Sequence, residues 1–310
     1  MRIVHGYRNV PEEARGAVLA IGNFDGVHRG HQALLATAVA TGRELGVPAG
    51  ALVFEPHPRE FFHPEEPHFH LTPLAQKLKL FEHAGLDLAV VITFDADFAG
   101  LTADEFVKRV LVDGLGARQI VIGHDFFFGK GRGGTPETMR ATADSLGFGL
   151  TIIPPVAEDG EVFSSSAIRL RLAQGDVKGA AHLLGRTWRV EGVVVGGAKR
   201  GTGLGFPTAN IPLPRGTALG HGIYAARVIF NGERHDAAAY LGTRPTYDNG
   251  MPVLEVFLFD FDGDLYGKTI EVEFVDFIRA DRKFDSSEAL IAQIGRDVAQ
   301  ARTILAADPG

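Results

Sequence analysis

The sequence predicts two domains, an α/β domain with a parallel sheet followed by an all-β domain. In the first half of the chain, short apolar runs alternate with helical patterns, which is typical of a parallel sheet. Beyond about residue 185, short β-branched runs follow one another without helices between them, which is typical of an antiparallel barrel or sandwich. A chain of 310 residues can bury a core in each of two such domains. We place these domains at residues 1–184 and 185–310.

The composition excludes several kinds of protein. A net charge of −7 disfavours binding to nucleic acid over a large surface. The absence of cysteine excludes a disulfide framework and cysteine-based metal or nucleophile chemistry. No apolar run reaches the roughly 18 residues that a membrane-spanning helix needs, and the N-terminus lacks a secretory signal. We therefore expect a cytoplasmic enzyme with no membrane partner.

The most informative stretch joins an apolar run at residues 17–21 to a helix predicted at 32–45. A helix N-terminus offers free N–H groups and a positive dipole end, and glycines let the backbone approach a ligand. His28 and His31 are three residues apart, so their rings would point to one side of the first helical turn. The stretch therefore predicts a phosphate site, although surface histidines beside an ordinary turn remain the alternative. Its other candidate residues are Gly22, Asn23, Asp25, Gly26 and Gly30.

The remaining elements of the first domain follow from periodicity and capping signals. We expect strands at 49–54, 87–94, 119–123 and 150–153, and helices at 74–84, 102–112 and 176–184. Thr72 is the expected N-cap of the first of these helices, with Pro73 at its first position. Thr102 and Glu105 predict a capping box at the next one.

Two strand ends in this domain carry further candidates. His57 and Pro58 follow the strand at 49–54, at the edge of the sheet where ligands bind in open α/β folds. Asp125 and Phe128 follow the strand at 119–123, in an aromatic cluster that leads into a basic glycine-rich loop. Such a segment could stack on a planar ring and contact phosphates, although each phenylalanine taken alone is better explained as a core residue.

Residues 61–70 and 164–169 are also candidates. The first segment is rich in His, Phe and Pro, and we interpret it as a mobile flap over the site. The alternative there is a metal site at His63, His68 and His70, which the spacing supports only weakly. In the second segment, Arg169 and a run of hydroxyls at a helix start could bind an anion. The hydroxyls belong to Ser164, Ser165 and Ser166.

The second domain is predicted to have strands at 188–195, 223–230, 235–241, 253–259 and 270–278. A basic glycine loop, which includes Gly196, Lys199, Arg200 and Gly201, could wrap a phosphate chain. Thr208 and Asn210 alternate in an extended segment, so both oxygens could face one Mg²⁺ ion. Glu255 is the only charge inside an apolar strand, so it is either structurally paired or a general base.

The chain is predicted to end in a helix at 286–305 that packs on the barrel. Asp285 and Glu288 form the expected capping pair. The expected apolar stripe consists of Leu290, Ile291, Ile294, Val298, Ala301 and Leu305.

The motif over residues 22–32 resembles that of the nucleotidyltransferase superfamily with an HxGH box, in the variant of the bacterial bifunctional riboflavin kinase/FAD synthetase family. Seven further strings resemble that family in order: residues 54–58, 121–129, 164–169, 205–210, 222–225, 242–247 and 279–284. The resemblance implies a Rossmann-like nucleotidyltransferase domain with a parallel sheet, then an antiparallel β-barrel riboflavin kinase domain with a C-terminal helix. It implies phosphorylation of riboflavin to FMN and adenylylation of FMN to FAD, with ATP and Mg²⁺.

The same resemblance implies residue roles. His28 and His31 would bind the triphosphate, Asn23 and Asp125 would position the substrates, and Arg169 would stabilise the leaving pyrophosphate. Glu255 would take the proton from the riboflavin 5′-hydroxyl. ATP and phosphate contacts are implied for Gly22, Asn23, Asp25, Gly26, Ser164, Ser165, Ser166, Gly196, Lys199, Arg200 and Gly201. Flavin contacts are implied for His57, Pro58, Asp125, Phe128 and Arg279, and metal contacts for Thr208 and Asn210.

This chain departs from the family pattern at a few positions, and these leave alternatives open. Ser166 replaces a threonine, Thr202 stands where the family has an arginine, and Asp281 replaces a glutamate. Phe257 stands where relatives often carry histidine. One alternative is a chain with a single activity and a degenerate second half, and another is a nucleotide-sensing or RNA-binding module. We expect small-molecule substrates as the partners, no nucleic acid, and a monomer or weak homo-oligomer.

Overall fold

A computed structural model of the protein describes residues 1–196, 206–243 and 252–308, with the side chain of Thr243 excepted. The chain divides into two units, Met1–Ser165 and Ser166–Gly310. The predicted phosphate-loop residues Lys199, Arg200 and Gly201 lie outside the described residues, as does Thr202. The predicted boundary after residue 184 between functional domains stays a prediction.

The first unit contains the predicted parallel sheet. Its six strands lie in the order β1-β4-β3-β2-β5-β6 and all pair in parallel. The direction of winding reverses between β2 and β5, so the crevice at their carboxyl ends is the topological switch point where such sheets bind ligands. The strands are β1 (Arg2–His5), β2 (Val18–Ile21), β3 (Ala49–Glu55), β4 (Leu88–Thr93), β5 (Gln119–Gly123) and β6 (Gly149–Ile153).

Helices cover both faces of this sheet, because strands such as β2 are apolar at every position and need burial on both sides. One face packs against α1 (Arg29–Leu45) and α3 (Leu74–His83), through Leu35, Ala38 and Phe81. The other face packs against Phe106, Val110 and Met139. Further elements of this unit are α2 (Pro58–Phe62), α4 (Ala96–Ala99), α5 (Ala103–Glu105), α6 (Pro136–Leu146) and a short hairpin of β7 (Ala157–Glu158) and β8 (Glu161–Val162). Two helices follow along the chain, α7 (Ser165–Ala173) and α8 (Val177–Leu184), and apart from Ser165 they belong to the second unit.

The capping predictions have mixed outcomes. The box of Thr102 and Glu105 is confirmed, with both reciprocal hydrogen bonds present. The helix it opens continues as a π-helix over Phe106–Gly114, which the periodicity does not reveal. The prediction for Thr72 is wrong, because Pro73 is the N-cap of α3 and no side chain caps that end. Thr72 is instead buried, and its backbone N–H donates to Asp25 Oδ1 at 3.1 Å.

The second unit contains an antiparallel sheet that curls into a nearly closed barrel, which confirms the barrel rather than the sandwich. The strand order is β10-β13-β12-β11-β14-β9. The two outer strands approach each other, since Val195 N donates to Asn210 O at 2.9 Å and a Cβ at Gly192 would collide with Ile211. The strands are β9 (Arg189–Val193), β10 (Ala209–Pro212), β11 (Gly222–Phe230), β12 (Glu233–Thr243), β13 (Pro252–Leu258) and β14 (Thr269–Arg279).

The predicted C-terminal helix is α9 (Ser287–Ala307), and it packs on this sheet. Ala301 and Leu305 are buried against Ala225 and Val275, as the stripe predicts. In the first half of the helix the prediction is wrong, since Ile291 is 38% exposed while two polar residues, Gln293 and Asp297, are buried. The predicted cap is also wrong, because Ser286 rather than Asp285 accepts the capping hydrogen bond, from Ala289 N.

The last turn of α9 is held by the buried Arg227 of β11. Its guanidinium forms an ion pair with Asp308 at 3.4 Å and donates to the carbonyl oxygen of Leu305 at 3.0 Å. Arginine at a helix C-terminus satisfies carbonyl groups that have no partner within the helix. Among the described helices, none is long and apolar enough to span a membrane.

We expect Arg227→Met to destabilise the second unit by about 2 kcal/mol, because it removes the buried hydrogen bond to the Leu305 carbonyl together with the ion pair to Asp308. Urea unfolding followed by circular dichroism measures the change. The matched control is Arg302→Met, which removes the exposed ion pair of the same helix with Asp260 and should have a smaller effect. Equal destabilisation by both variants would contradict this account.

Two candidate active sites

The turn between β2 and α1 (residues 22–28) lies at the switch point and has an unusual backbone. Gly26 has a φ of 86°, and the non-glycine residues Phe24 and Val27 have φ values of 49° and 43°. A β-branched residue such as Val27 is rarely found in this left-handed region, and such strain persists where surrounding structure enforces it. Phe24 is fully buried against Phe81, which fixes the turn from inside. The turn thereby delivers His28 to the N-cap position of α1.

The two histidines of the motif lie side by side, which confirms the predicted juxtaposition. Their ring centroids are 3.6 Å apart and the planes are inclined by 23°. His28 Nδ1 accepts a hydrogen bond from His31 N at 3.3 Å, so the neutral His28 ring carries its hydrogen on Nε2. A Cβ at Gly30 would lie 3.1 Å from the His28 ring, so glycine at this position leaves room for the imidazole. His28 can therefore donate an N–H to an anion without carrying a charge.

His31 is held in its neutral form. Burial lowers the pKa of its imidazole well below the usual range, and the nearby His28 and Lys77 lower that pKa further. Its Nδ1 is buried, and no described residue forms a hydrogen bond with it. Buried polar atoms in proteins usually have a partner, so a buried nitrogen without one is consistent with a ligand or water site.

Asp25 lies inside the protein, 2% exposed. Besides the hydrogen bond from Thr72, its backbone carbonyl accepts one from Ser165 Oγ at 2.8 Å. Two of the predicted phosphate-binding residues, Asp25 and Ser165, are thus joined by a hydrogen bond within the first unit. Gly22, at the start of the turn, donates its N–H to Leu52 O at 3.2 Å.

His57 lies in a cluster of histidines that follows β3. Its ring stacks on His68 with centroids 4.4 Å apart, and His70 Nε2 lies 2.9 Å from Glu60 Oε1. His57 also caps α2, because its Nδ1 accepts from Arg59 N. The alternative of a metal site at His63, His68 and His70 is not the grouping that the structure shows. Among the described residues, His63 instead lies close to Glu65 and Glu66 in an exposed group that includes neither His68 nor His70.

The pKa of His57 is lowered from 6.5 to about 4, chiefly by burial and then by His68. The unfolded chain therefore binds a proton at His57 between about pH 6.5 and pH 4 that the folded chain does not bind. Stability must fall as the pH is lowered through that window.

We expect the variant His57→Asn to lose less stability than the wild type between pH 6.5 and pH 4.5. Asparagine is also a favourable N-cap, so α2 should be kept. Urea unfolding at a series of pH values measures this difference. Parallel pH profiles for the two proteins would mean that His57 is not held neutral in the folded state.

The segment after β5 places its aromatic residues in two environments. Phe128 is 7% exposed and packs in the core on Phe106 and Phe126, so its predicted flavin contact stays a prediction. Phe127 is 44% exposed, with the Arg132 guanidinium 4.8 Å from its ring centroid. Asp125 is exposed at the end of the strand, as expected for a residue at the ligand-binding edge.

The hydroxyl and arginine segment is found at a helix start, as predicted. Ser165 is the first residue of α7, and Ser166 and Arg169 follow on the same helix. Ser166 is exposed and Arg169 is half-buried. Their roles toward a nucleotide stay predictions.

The second candidate site lies on β10 and β13 of the barrel. Thr208 Oγ1 donates to Glu255 Oε2 at 3.5 Å, and Asn210 faces Glu255 directly in the strand register. Asn210 is 7% exposed, and its Nδ2 donates to Thr208 O at 3.2 Å. The structure therefore brings together a hydroxyl, an amide and a carboxylate that the sequence analysis selected separately. Gly196, the one described residue of the predicted phosphate loop, is exposed beyond β9.

Arg279 and Asp281, near the end of β14, both have partners. The Arg279 guanidinium forms a two-point ion pair with Asp297, with Nε 3.0 Å from Oδ1 and a terminal nitrogen 2.7 Å from Oδ2. Asp281 accepts a hydrogen bond from the Tyr240 hydroxyl at 3.0 Å. A flavin contact at Arg279 stays a prediction.

Lys77 of α3 also lies at this site, although no sequence motif points to it. This lysine is 2% exposed, and its Nζ donates to Asn23 O at 2.8 Å in the β2–α1 turn. The helical pattern does carry a signal, because Lys77 lies on the helix face that carries Leu74, Leu78 and Phe81. A lysine in an apolar stripe is almost never fully buried without a partner.

Comparison with known proteins identifies the two halves separately. Residues 10–167 match the family model described as FAD synthetase, and residues 184–305 match the model described as riboflavin kinase. The chain is 41% identical to a bifunctional riboflavin kinase/FMN adenylyltransferase of Pseudomonas fluorescens, over 99% of this chain and 98% of the relative. It is 40% identical to the bifunctional riboflavin kinase/FMN adenylyltransferase of Escherichia coli (strain K12), over 97% and 96% of the two chains.

Among solved structures, a crystal structure described as a macrolide-efflux protein from Streptococcus pneumoniae matches with a TM-score of 0.86 and 30% identity. The match covers 97% of this chain and 99% of that one. The fold is thus shared over nearly the whole chain, and the resemblance noted in the sequence is confirmed by the family models and the relatives. The chain belongs to the family of bifunctional riboflavin kinase/FMN adenylyltransferases.

Proposed function

We propose that this protein transfers a phosphoryl group from ATP to riboflavin, giving FMN, and then transfers an adenylyl group from a second ATP to FMN, giving FAD and pyrophosphate. One observation carries this conclusion: two family models, one for each reaction, match successive parts of the chain, and each part holds a polar cluster of the right chemistry. The relatives that match over nearly the full length carry both names, which favours two working sites over a chain with one degenerate half.

Adenylylation is proposed at the β2–α1 turn. An oxygen of the FMN phosphate attacks the α-phosphorus of ATP, and the bond from that phosphorus to the oxygen bridging to the β-phosphate breaks. No covalent enzyme group is needed, because orientation and preorganised hydrogen-bond donors lower the barrier of such a transfer. His28 donates from Nε2 to the triphosphate, and the neutral His31 beside it adds a second imidazole.

The other predicted residues of this reaction have supporting roles in the proposal. Asn23 and Gly26 orient the backbone donors of the turn, while Asp25, turned inward, holds the turn to Thr72 and Ser165. Arg169 is proposed to stabilise the leaving pyrophosphate, because its charge matches the one that develops there. His57 and Asp125, at the same edge of the sheet, are proposed to face the flavin.

Phosphorylation is proposed at the barrel. Glu255 takes the proton of the riboflavin 5′-hydroxyl, whose oxygen attacks the γ-phosphorus of ATP. The bond between that phosphorus and the oxygen bridging to the β-phosphate breaks, and ADP leaves. Glu255 suits this role because it is a half-buried carboxylate in an otherwise apolar strand, beside the Thr208 hydroxyl and opposite Asn210.

The donor set at the barrel fits Mg²⁺. The Thr208 hydroxyl and the Asn210 side-chain amide are hard oxygen donors beside a carboxylate, and Mg²⁺ prefers a few such protein oxygens together with phosphate and water. Thr208 and Asn210 would hold the ion. When bound, Mg²⁺ neutralises the charge of the phosphates during the transfer.

A two-step product assay tests this function. The purified protein with riboflavin, MgATP and time-resolved chromatography should give FMN first and FAD afterwards. The appearance of neither product would reject the proposal, and FMN without FAD would restrict it to the barrel. The predicted cytoplasmic location and the predicted monomer or weak homo-oligomer stay predictions.

A further inference from the structure

Lys77 is a buried charge in the first unit that none of the proposed roles uses. It lies on α3 between apolar neighbours that pack on the sheet, and it is 2% exposed. Among the described residues, its hydrogen bond goes to a backbone carbonyl and not to a carboxylate. Burying an ammonium group costs free energy, and the charges of Asp25, Glu55 and Glu60 only partly offset the effect of burial on Lys77. The hydrogen bond that the ammonium donates is the contact that methionine or leucine could not replace.

The acceptor is the carbonyl oxygen of Asn23, 2.8 Å from Lys77 Nζ. Asn23 is the second residue of the β2–α1 turn, directly before Phe24 with its left-handed backbone. A peptide unit is planar, with its C=O and N–H pointing in opposite directions. By fixing the Asn23 carbonyl toward α3, Lys77 therefore also fixes the direction of the Phe24 N–H.

The charge of Lys77 also acts on the two histidines that flank the site. It lowers the pKa of His31, together with burial and His28, and it lowers the pKa of His57, together with burial and His68. Burial lowers the pKa of Lys77 itself, while Asp25 and the glutamates Glu55 and Glu60 oppose that effect. The ammonium thus lies among groups from α1, β3, α2 and the turn.

We propose that Lys77 is a positioning residue for adenylyl transfer: from α3 it holds the β2–α1 turn in its strained conformation through the Asn23 carbonyl, so that the turn and the two imidazoles are preorganised for the triphosphate. This inference rests on the proposed adenylylation at the same turn. The residue acts through the backbone and does not touch the substrate.

The test compares Lys77→Met, Lys77→Arg and the control Lys79→Met on the exposed face of the same helix. Methionine keeps the length of the side chain and removes both the charge and the donor, while arginine keeps both. FAD formation from FMN and ATP is measured at saturating ATP, and FMN formation from riboflavin is measured in the same preparations. Thermal unfolding is followed for each variant.

We expect Lys77→Met to lower kcat for FAD formation about 100-fold, because small displacements of a positioned group have effects of this size. FMN formation should be unchanged, Lys77→Arg should recover part of kcat, and Lys79→Met should behave as wild type. A purely structural role predicts a different result, a loss of stability in Lys77→Met without a matching loss of kcat in the folded protein, because removing one partner of a buried polar contact destabilises the fold.

The proposal is overturned if the folded variant Lys77→Met keeps a kcat for FAD formation within about threefold of the wild-type value, because a displaced turn should lower kcat by much more than this. If Lys77→Met fails to fold, Lys77→Arg decides, and a folded arginine variant with under about a tenth of the wild-type kcat would reject the role. If the wild type forms no FAD, the proposed adenylylation itself fails, which separates the two failures.

Discussion

Glu255→Gln should abolish the conversion of riboflavin to FMN while FAD formation from supplied FMN continues at the wild-type rate. Glutamine keeps the shape of the side chain and an oxygen that can accept the Thr208 hydrogen bond, but it cannot take a proton. Loss of a general base typically lowers the rate by about 10² to 10⁴-fold. The measurement is the initial rate of each product by chromatography, with riboflavin or FMN as the starting flavin.

Asp262→Asn is the matched control, because it neutralises an exposed carboxylate in the segment that follows β13. It should leave both reactions unchanged. If Glu255→Gln reduces both reactions equally in a folded protein, the assignment of the two reactions to separate sites is wrong. If FMN formation continues, Glu255 is a structural carboxylate.

His28→Asn should have the reciprocal effect, a loss of FAD formation with FMN formation unchanged. Asparagine is among the best N-cap residues, so the start of α1 should be kept while the imidazole is removed. Removal of one preorganised donor to a developing charge lowers kcat by about 10² to 10³-fold. Initial rates of FAD formation at saturating FMN and ATP measure the change.

Two comparisons make the result specific. His83→Asn alters an exposed histidine at the end of α3 and should leave both reactions unchanged. Thermal unfolding of His28→Asn should resemble that of the wild type, because the cap is preserved. An undiminished rate of FAD formation would remove His28 from the site.

Features that depend on neighbours along the chain were predictable. The spacing of His28 and His31 on one helical turn places their rings together, and period-two alternation places Thr208 and Asn210 on one side of an extended segment. The alternation of strands and helices likewise predicted the parallel sheet. These inferences need no knowledge of which distant residue lies opposite.

Features that depend on distant partners were not predictable. Glu255 lies opposite Asn210 because of the register between β10 and β13, which the sequence does not state. Asp297 is buried in α9 because it forms an ion pair with Arg279 of β14. This pairing places a charged residue on the buried side of the helix, where the apolar periodicity predicts only apolar residues. Lys77 is buried for the same kind of reason, because its acceptor comes from a turn far away in the chain.

Capping errors have a more local cause. Asp285 and Ser286 are adjacent and can both cap a helix, and the structure uses the second. Thr72 fits the N-cap pattern, but its backbone N–H is needed by the buried Asp25, and Pro73 takes the cap position. Such a choice between neighbours is decided by tertiary contacts.

The most direct test of two independent sites in one chain is a mixing experiment with riboflavin and MgATP. Neither Glu255→Gln nor His28→Asn alone should form FAD, since each lacks one step. An equimolar mixture should form FAD, because FMN released by the barrel of His28→Asn can be adenylylated by the intact turn of Glu255→Gln. A mixture that accumulates FMN without FAD, or a single variant that forms FAD at the wild-type rate, would contradict this account.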